Sequence, residues 1–110
     1  MAELDGRIYS FPNDPTSDRL DLVVDLRDQG ETGNRIYGLE FHPNWRQNRY
    51  CYVCYIIGSD IPDGTRVSRF RLSSIDPPKI DRSSEEILIT WISGGHNGGC
   101  IKFGLDGYLY

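Results

Sequence analysis

Long apolar runs and helical periodicity are both missing from this chain of 110 residues. It has no stretch of about 18 apolar residues, so no membrane-spanning helix is predicted. No window of a dozen residues keeps apolar side chains at the i, i+3 and i+4 spacing of an amphipathic helix without an interrupting Gly or Pro. Residues 1–5 lack the basic and apolar segments of a secretory signal. These absences leave a fold built from strands.

Basic residues are also scarce, with 12 Lys and Arg against 16 Asp and Glu and a formal net charge of -4. They are scattered, and no run of five or more occurs. Because a nucleic-acid partner needs a basic face for its phosphates, none is predicted. The length fits one domain at most, and 38% hydrophobic with 25% charged residues is ordinary for a globular protein.

The chain has three cysteines, and two of them, Cys51 and Cys54, have the CxxC spacing. Attachment of a c-type haem would need His at position 55, where Tyr55 stands. The surrounding sequence is typical of a strand, in which residues three apart point to opposite faces. That geometry disfavours a shared metal or a disulfide, so we interpret these residues and Cys100 as structural thiols, with a ligand or redox role as the alternative. No metal site is predicted, and the acidic residues lack the spacing of a calcium-binding loop.

Short segments rich in β-branched and aromatic residues, bounded by turn residues, make up most of the chain. They predict strands at residues 7–11, 21–26, 36–41, 50–57, 65–72, 86–92, 100–103 and 108–110. Eight short strands without helices indicate an all-β sandwich, barrel or propeller. The aromatic residues among them are predicted to pack between strands or blades rather than form a sugar platform, and His42 is predicted to be structural. These aromatic residues are Trp45, Tyr50, Tyr52 and Tyr55.

A short internal repeat in the sequence favours the propeller. Residues 5–9 and 106–110 share the pattern Asp-Gly-x-[Ile/Leu]-Tyr, and their first residues are 101 positions apart. That spacing is roughly two blades of about 40–50 residues each. The prediction is a partial β-propeller of about two blades, which would leave open strand edges because a propeller closes only with about four to eight blades.

Two segments carry a resemblance to a known family. Residues 37–45 read Tyr-Gly-Leu-Glu-Phe-His-Pro-Asn-Trp, and residues 96–110 read His-Asn-Gly-Gly-Cys-Ile-Lys-Phe-Gly-Leu-Asp-Gly-Tyr-Leu-Tyr. Together with Arg-Val-Ser-Arg-Phe at 66–70, they resemble the glucose/sorbosone dehydrogenase family of six-bladed propellers, typified by soluble quinoprotein glucose dehydrogenases. The resemblance covers residues 6–110. The start of the chain is also similar to planctomycete-type members, which are often fused to a cytochrome c module.

The resemblance implies an enzyme that oxidises a sugar at its anomeric carbon. In the family pyrroloquinoline quinone takes the hydride and a histidine takes the hydroxyl proton; the matching residue here is His96. Imidazole titrates near pH 6.5, so it can be neutral and accept a proton at working pH. Asn97, Gly98 and Gly99 are the implied cofactor contacts. Asn97 could instead hold the turn, Gly98 and Gly99 could simply lead into a strand, and His96 could be a turn residue bonded to a neighbouring carbonyl.

The sequence also departs from the family pattern. The glutamine that touches the quinone corresponds to Gly33, with Gln29 four residues upstream. This loss favours the alternative of a non-catalytic propeller that binds a carbohydrate or protein partner, as animal hedgehog-interacting-type members do. An inactive truncated product is a third possibility.

By the same resemblance, residues 1–110 are expected to be the N-terminal part of a propeller domain truncated at its C-terminus, and inactive in isolation. The basic residues that hold the quinone and the calcium ligands come from later blades in the family, so calcium is possible in the complete protein. A cytochrome c-type electron acceptor is the implied partner. The full-length protein is expected to be periplasmic or secreted, with its signal outside this chain.

Overall fold

The computed structural model describes residues 1–27 and 34–110, and nearly all of its regular structure is β. Across that part of the chain, the elements are β1 (Arg7–Ser10), β2 (Asp21–Asp25), β3 (Arg35–Phe41), α1 (Trp45–Asn48), β4 (Tyr50–Ile56), β5 (Thr65–Ile75) and β6 (Pro78–Trp91). The predicted all-β class is therefore confirmed, with α1 as a single helical turn that was not expected. None of the described helices is long and apolar enough to cross a membrane.

The strands form two antiparallel sheets. β1 pairs with β2, and β3, β4, β5 and β6 pair in chain order as a four-stranded meander. A four-stranded antiparallel meander is the form of a propeller blade. The two-stranded sheet lies against the meander on the β6 side, where Lys79 Nζ donates to the Leu22 carbonyl and Arg82 Nη1 donates to the Arg27 carbonyl at 2.9 Å. The architecture is that of a partial propeller.

Strand β4 of the four-stranded sheet is buried on both faces. Cys51, Val53 and Tyr55 of β4 belong to an apolar cluster with residues of β1 and β2, including Ile8. The alternate residues of β4 belong to a second cluster on the opposite face, made of Tyr52, Cys54, Val67 and Ile101 with Phe103 and Leu109 packed against it. Cys51 and Cys54 therefore face opposite sides of the sheet, as predicted. Face-to-face packing of successive sheets is what a propeller requires.

The repeated pattern at residues 5–9 and 106–110 corresponds to a repeated hairpin in the structure. Isolated bridges join Ala2 to Ile8 and Phe103 to Leu109, and each is separated from its counterpart by 101 residues. The turn glycines Gly6 and Gly107 have φ of 94° and 84°, a region that glycine reaches without steric cost.

The hydrogen bonds of the two hairpins repeat at the same offset. Tyr9 N–H donates to the Met1 carbonyl at 2.8 Å, and Tyr110 N–H donates to the Lys102 carbonyl at 2.9 Å. In each turn the aspartate before the glycine accepts the N–H two residues ahead. Because Ile8 and Leu109 pack on opposite faces of the four-stranded sheet, the two hairpins are equivalent units on either side of one blade.

The structure corrects several strand bounds. β6 begins at Pro78 rather than at residue 86, since pairing with the long β5 continues to the tight turn that contains the cis Asp76–Pro77 peptide. A proline is tolerated at the first position of a strand because no ladder donor is needed there. The predicted strands at 100–103 and 108–110 are reduced to the single bridge between Phe103 and Leu109.

The chain that follows β6 crosses close over β3 at two glycines. A Cβ on Gly38 would collide with the carbonyl oxygen of Gly99. A Cβ on Gly99 would lie 2.5 Å from Tyr37 Cβ and 2.8 Å from Cys54 Sγ. Neither position has room for a side chain, and the resulting contact fixes residue 99 against the sheet.

We predict that only one cysteine reacts with a thiol reagent in the folded protein. Cys51 and Cys54 are buried, and burial raises the pKa of both thiols, that of Cys51 to about 12. Since the thiolate is the nucleophile, both should stay unlabelled at pH 8 while the exposed Cys100 reacts. The measurement is intact-mass analysis after iodoacetamide treatment, native and in guanidinium. Native labelling should disappear in Cys100→Ser, and fast labelling of two or more sites would contradict the packing.

We also predict that the two crossing glycines, Gly38 and Gly99, are less replaceable than Gly98 of the His96 turn. Gly38→Ala should lower the free energy of unfolding by about 2–3 kcal/mol, because the added methyl meets backbone that cannot move aside cheaply. Gly98→Ala is the matched control, since its Cβ would have nothing within 4 Å. Urea unfolding curves of the two variants measure the difference, and equal midpoints would show that the crossing is not tight.

Candidate functional site

The glycine-rich turn that contains His96 is anchored at both ends. At its start Ser93 is fully buried, its N–H donates to the Ile61 carbonyl at 3.2 Å, and its hydroxyl donates to the Gly58 carbonyl. At its end Gly99 lies against Gly38 of β3. The residues between these two anchors therefore follow a fixed path from the end of β6 to β3.

Asn97 closes the turn internally. Its side-chain Oδ1 accepts the Gly94 N–H at 3.2 Å, and its Nδ2 donates to the Gly94 carbonyl at 2.6 Å. Both ends of the amide are used within the turn. Of the two roles that the sequence left open for Asn97, the contacts match the one in which it holds the turn.

His96 projects from this turn as an exposed side chain. Its imidazole makes no hydrogen bond with any residue in 1–27 or 34–110, so the alternative of a ring bonded to a neighbouring carbonyl is not what the described residues show. The ring nitrogens are open to solvent or to a ligand, while the backbone on both sides is held by Asn97 and Ser93.

A polar cleft of about 210 Å³ lies beside the turn. His96 itself does not line the cleft, but its sequence neighbours Gly95 and Asn97 do. The lining residues are Arg35, Ile56, Gly58, Ser59, Gly94, Gly95 and Asn97. A Cβ on Gly94, Gly95 or Gly98 would meet nothing within 4 Å, so the backbone surface here is unobstructed. Gly99 is different, since its missing side chain makes room for Tyr37 and Cys54.

Arg35 is the cleft residue that sequence reasoning missed. It is the first residue of β3 and is exposed, while the next residue, Ile36, is buried in the core beneath the sheet. The alternation of a strand therefore places Arg35 on the face that the His96 turn covers. The sequence signal that could have found it is this alternation at the strand start, but only the fold brings Arg35 to the cleft beside the His96 turn.

The second histidine has a structural role, as predicted. His42 Nδ1 accepts the Asn44 N–H at 3.0 Å and lies 2.8 Å from Asn48 Nδ2, which spans the turn around α1. Its ring meets that of Phe103 edge-on, with the centroids 5.3 Å apart. These contacts use His42 to join the helical turn to the second apolar cluster.

The aromatic residues of β4 pack against other strands, with Tyr50 half-buried at the second apolar cluster. Tyr52 and Tyr55 are buried, and the Tyr55 hydroxyl donates to Glu85, which also accepts the Ser68 hydroxyl at 2.7 Å. Burial and the neighbouring carboxylate raise the pKa of Tyr55 to about 12. The phenol therefore stays protonated as a donor across the neutral range.

Metal-ligating residues are dispersed. Among residues 1–27 and 34–110, no group of three or more His, Cys, Asp or Glu side chains is placed to hold a metal ion. Gly33 and Gln29, which bear on the family's quinone-contacting glutamine, lie outside the described residues.

A comparison with protein-family models assigns the chain. The model described as glucose/sorbosone dehydrogenase matches residues 1–110, the full length of the sequence. The match agrees with the blade-like sheet, the repeated hairpin and the histidine-bearing turn. The chain belongs to the glucose/sorbosone dehydrogenase family.

Proposed function

We propose that this chain provides His96 as the proton acceptor in a quinone-dependent sugar dehydrogenase that oxidises the anomeric carbon. Family membership supports the reaction class. The observation that carries the assignment to His96 is its exposed, unbonded imidazole on a turn held by Ser93, Asn97 and Gly99. A base must have a free nitrogen and a fixed position, and the turn provides both.

The described residues fit part of a pyrroloquinoline quinone, a planar ring system that carries carboxylates. A planar group needs an unobstructed surface, and the backbone at Gly94, Gly95 and Gly98 offers one. Carboxylates need a cation or hydrogen-bond donors, and Arg35 and Ser59 line the same cleft. Further basic residues and a calcium ion would belong to other blades of the complete protein.

The chemistry assigns His96 one step. The bound quinone would supply the two-electron acceptor for the hydride from the anomeric carbon. His96 takes the proton of the hydroxyl on that carbon, so the O–H and C–H bonds break as the C=O bond forms. The neutral ring is the active form, because a protonated imidazole has no lone pair. Asn97 fixes the turn that carries His96, because its amide bonds to both backbone groups of Gly94.

We further propose that residues 1–110 form the N-terminal part of a larger propeller and that the isolated chain does not turn over sugar. Exposed apolar side chains on the outer strand and the last hairpin support further packing, among them Ile89, Trp91, Tyr108 and Tyr110. A cytochrome c-type protein as electron acceptor and a periplasmic or secreted location follow from the family relationship.

A second candidate is a propeller that binds a carbohydrate or protein without catalysis. The replacement of the quinone-contacting glutamine by Gly33 favours it. The two functions differ in quinone uptake, since a binding protein has no use for the cofactor.

We predict that His96→Gln in the full-length enzyme lowers kcat by about 10²- to 10⁴-fold with little change in KM, because the general base is lost while sugar contacts remain. Dye-linked sugar oxidation with added quinone and calcium measures the rate. His42→Asn, which keeps an acceptor toward Asn44, is the control and should retain activity. Full activity in His96→Gln would overturn the role, and absence of quinone uptake by the wild type would favour the binding protein.

A further inference from the structure

We propose that Arg35 is the anion-binding residue of the cleft beside His96 and pairs with a carboxylate of the quinone; this inference rests on the proposed function. Arg35 opens β3 and lies on the sheet face crossed by residues 94–99. Tyr37, two residues further along that face, contacts the Gly99 position directly. The guanidinium and the histidine-bearing turn therefore border the same space.

Within residues 1–27 and 34–110, no carboxylate pairs with Arg35. Some other arginines of the described residues do have carboxylate partners, such as Arg19 with Asp21 at 2.6 Å and Arg69 with Glu86. The Arg35 guanidinium makes neither an ion pair nor a hydrogen bond with any residue in 1–27 or 34–110. No acidic residue is among the described residues that line the cleft. The described lining of the cleft consequently carries a net positive charge.

The turn adds further donors. The backbone N–H groups of Gly95, His96 and Gly98 have no acceptor among the described residues, and Ser59 contributes a hydroxyl. Unbonded N–H groups that succeed one another in a turn favour anions. An exposed guanidinium together with these donors suits a carboxylate better than a neutral hydroxyl.

The chemistry of the two ligands distinguishes what Arg35 would recognise. A neutral aldose has no charge for it to pair with, whereas the quinone carries carboxylates that a guanidinium binds in a bidentate manner. Arg35 should therefore control cofactor affinity and leave sugar recognition to other groups. Such a cation in the first strand of the blade would add to the basic residues expected from other blades.

The test is equilibrium dialysis of pyrroloquinoline quinone against the full-length apo protein. Arg35→Gln should weaken binding about 10- to 100-fold, the range of a charge-assisted hydrogen bond of about 1.5–3 kcal/mol. Arg46→Gln is the matched control, because that exposed arginine stacks on Trp45 in α1, away from the cleft, and should bind normally. Thermal unfolding of both variants checks that they are folded.

A triester of the quinone lacks the negative charges of the carboxylates and therefore tests whether Arg35 recognises charge. It should bind the wild type weakly and show no further loss in Arg35→Gln. Unchanged quinone affinity in Arg35→Gln, an equal loss for acid and triester, or no quinone binding by the wild type would each overturn the inference. The role of His96 is judged separately, since loss of turnover in His96→Gln with unchanged binding in Arg35→Gln would leave the base in place and reject Arg35 alone.

Discussion

The contact on which the site depends is the crossing of Gly99 over Gly38. Two backbones meet there without side chains between them, at a separation that a single methyl group would disrupt. This crossing ties the turn after β6 to the opposite edge strand of the same sheet, so that residues from the two ends of the meander border one cleft. Without it, His96 would lie on a loop with one anchor, and its distance from Arg35 would not be defined.

The rigid support for this crossing comes from β4, which is buried on both faces. Its odd-numbered residues pack toward the two-stranded sheet and its even-numbered residues toward the last hairpin. Most strands of a half-exposed sheet alternate apolar and polar residues, but this strand is apolar throughout, as expected for a layer between two others. The same burial raises the pKa of both CxxC thiols and so disfavours the thiolate that redox chemistry needs.

Much of this fold could be predicted from the sequence because its signals are local. β-branched and aromatic runs identified the six strands, and the Asp-Gly pattern identified two hairpins that match bond for bond. The early start of β6 could not be predicted, since Pro77 and Pro78 interrupt a strand locally while pairing with β5 extends it. The turn α1 was missed because it depends on contacts of the His42 and Asn48 side chains rather than on apolar periodicity.

The residues of the candidate site also differ in whether the sequence alone could predict them. His96 and Asn97 are neighbours in a glycine-rich turn, and their types and spacing could be interpreted without a structure. Arg35 is distant in sequence, and only the pairing of β3 with β4 and the crossing at Gly38 bring it to the turn.

The contacts also separate two kinds of residue within the turn itself. The side chains of Asn97 and Ser93 form hydrogen bonds within the protein, and Gly99 packs closely because it has no side chain. The His96 ring and the Arg35 guanidinium form no hydrogen bond or ion pair with the described residues. In the part of the chain that the structure describes, a base and a cation without protein partners thus lie on or next to residues that line one cleft, on a backbone that is anchored at both ends of the turn.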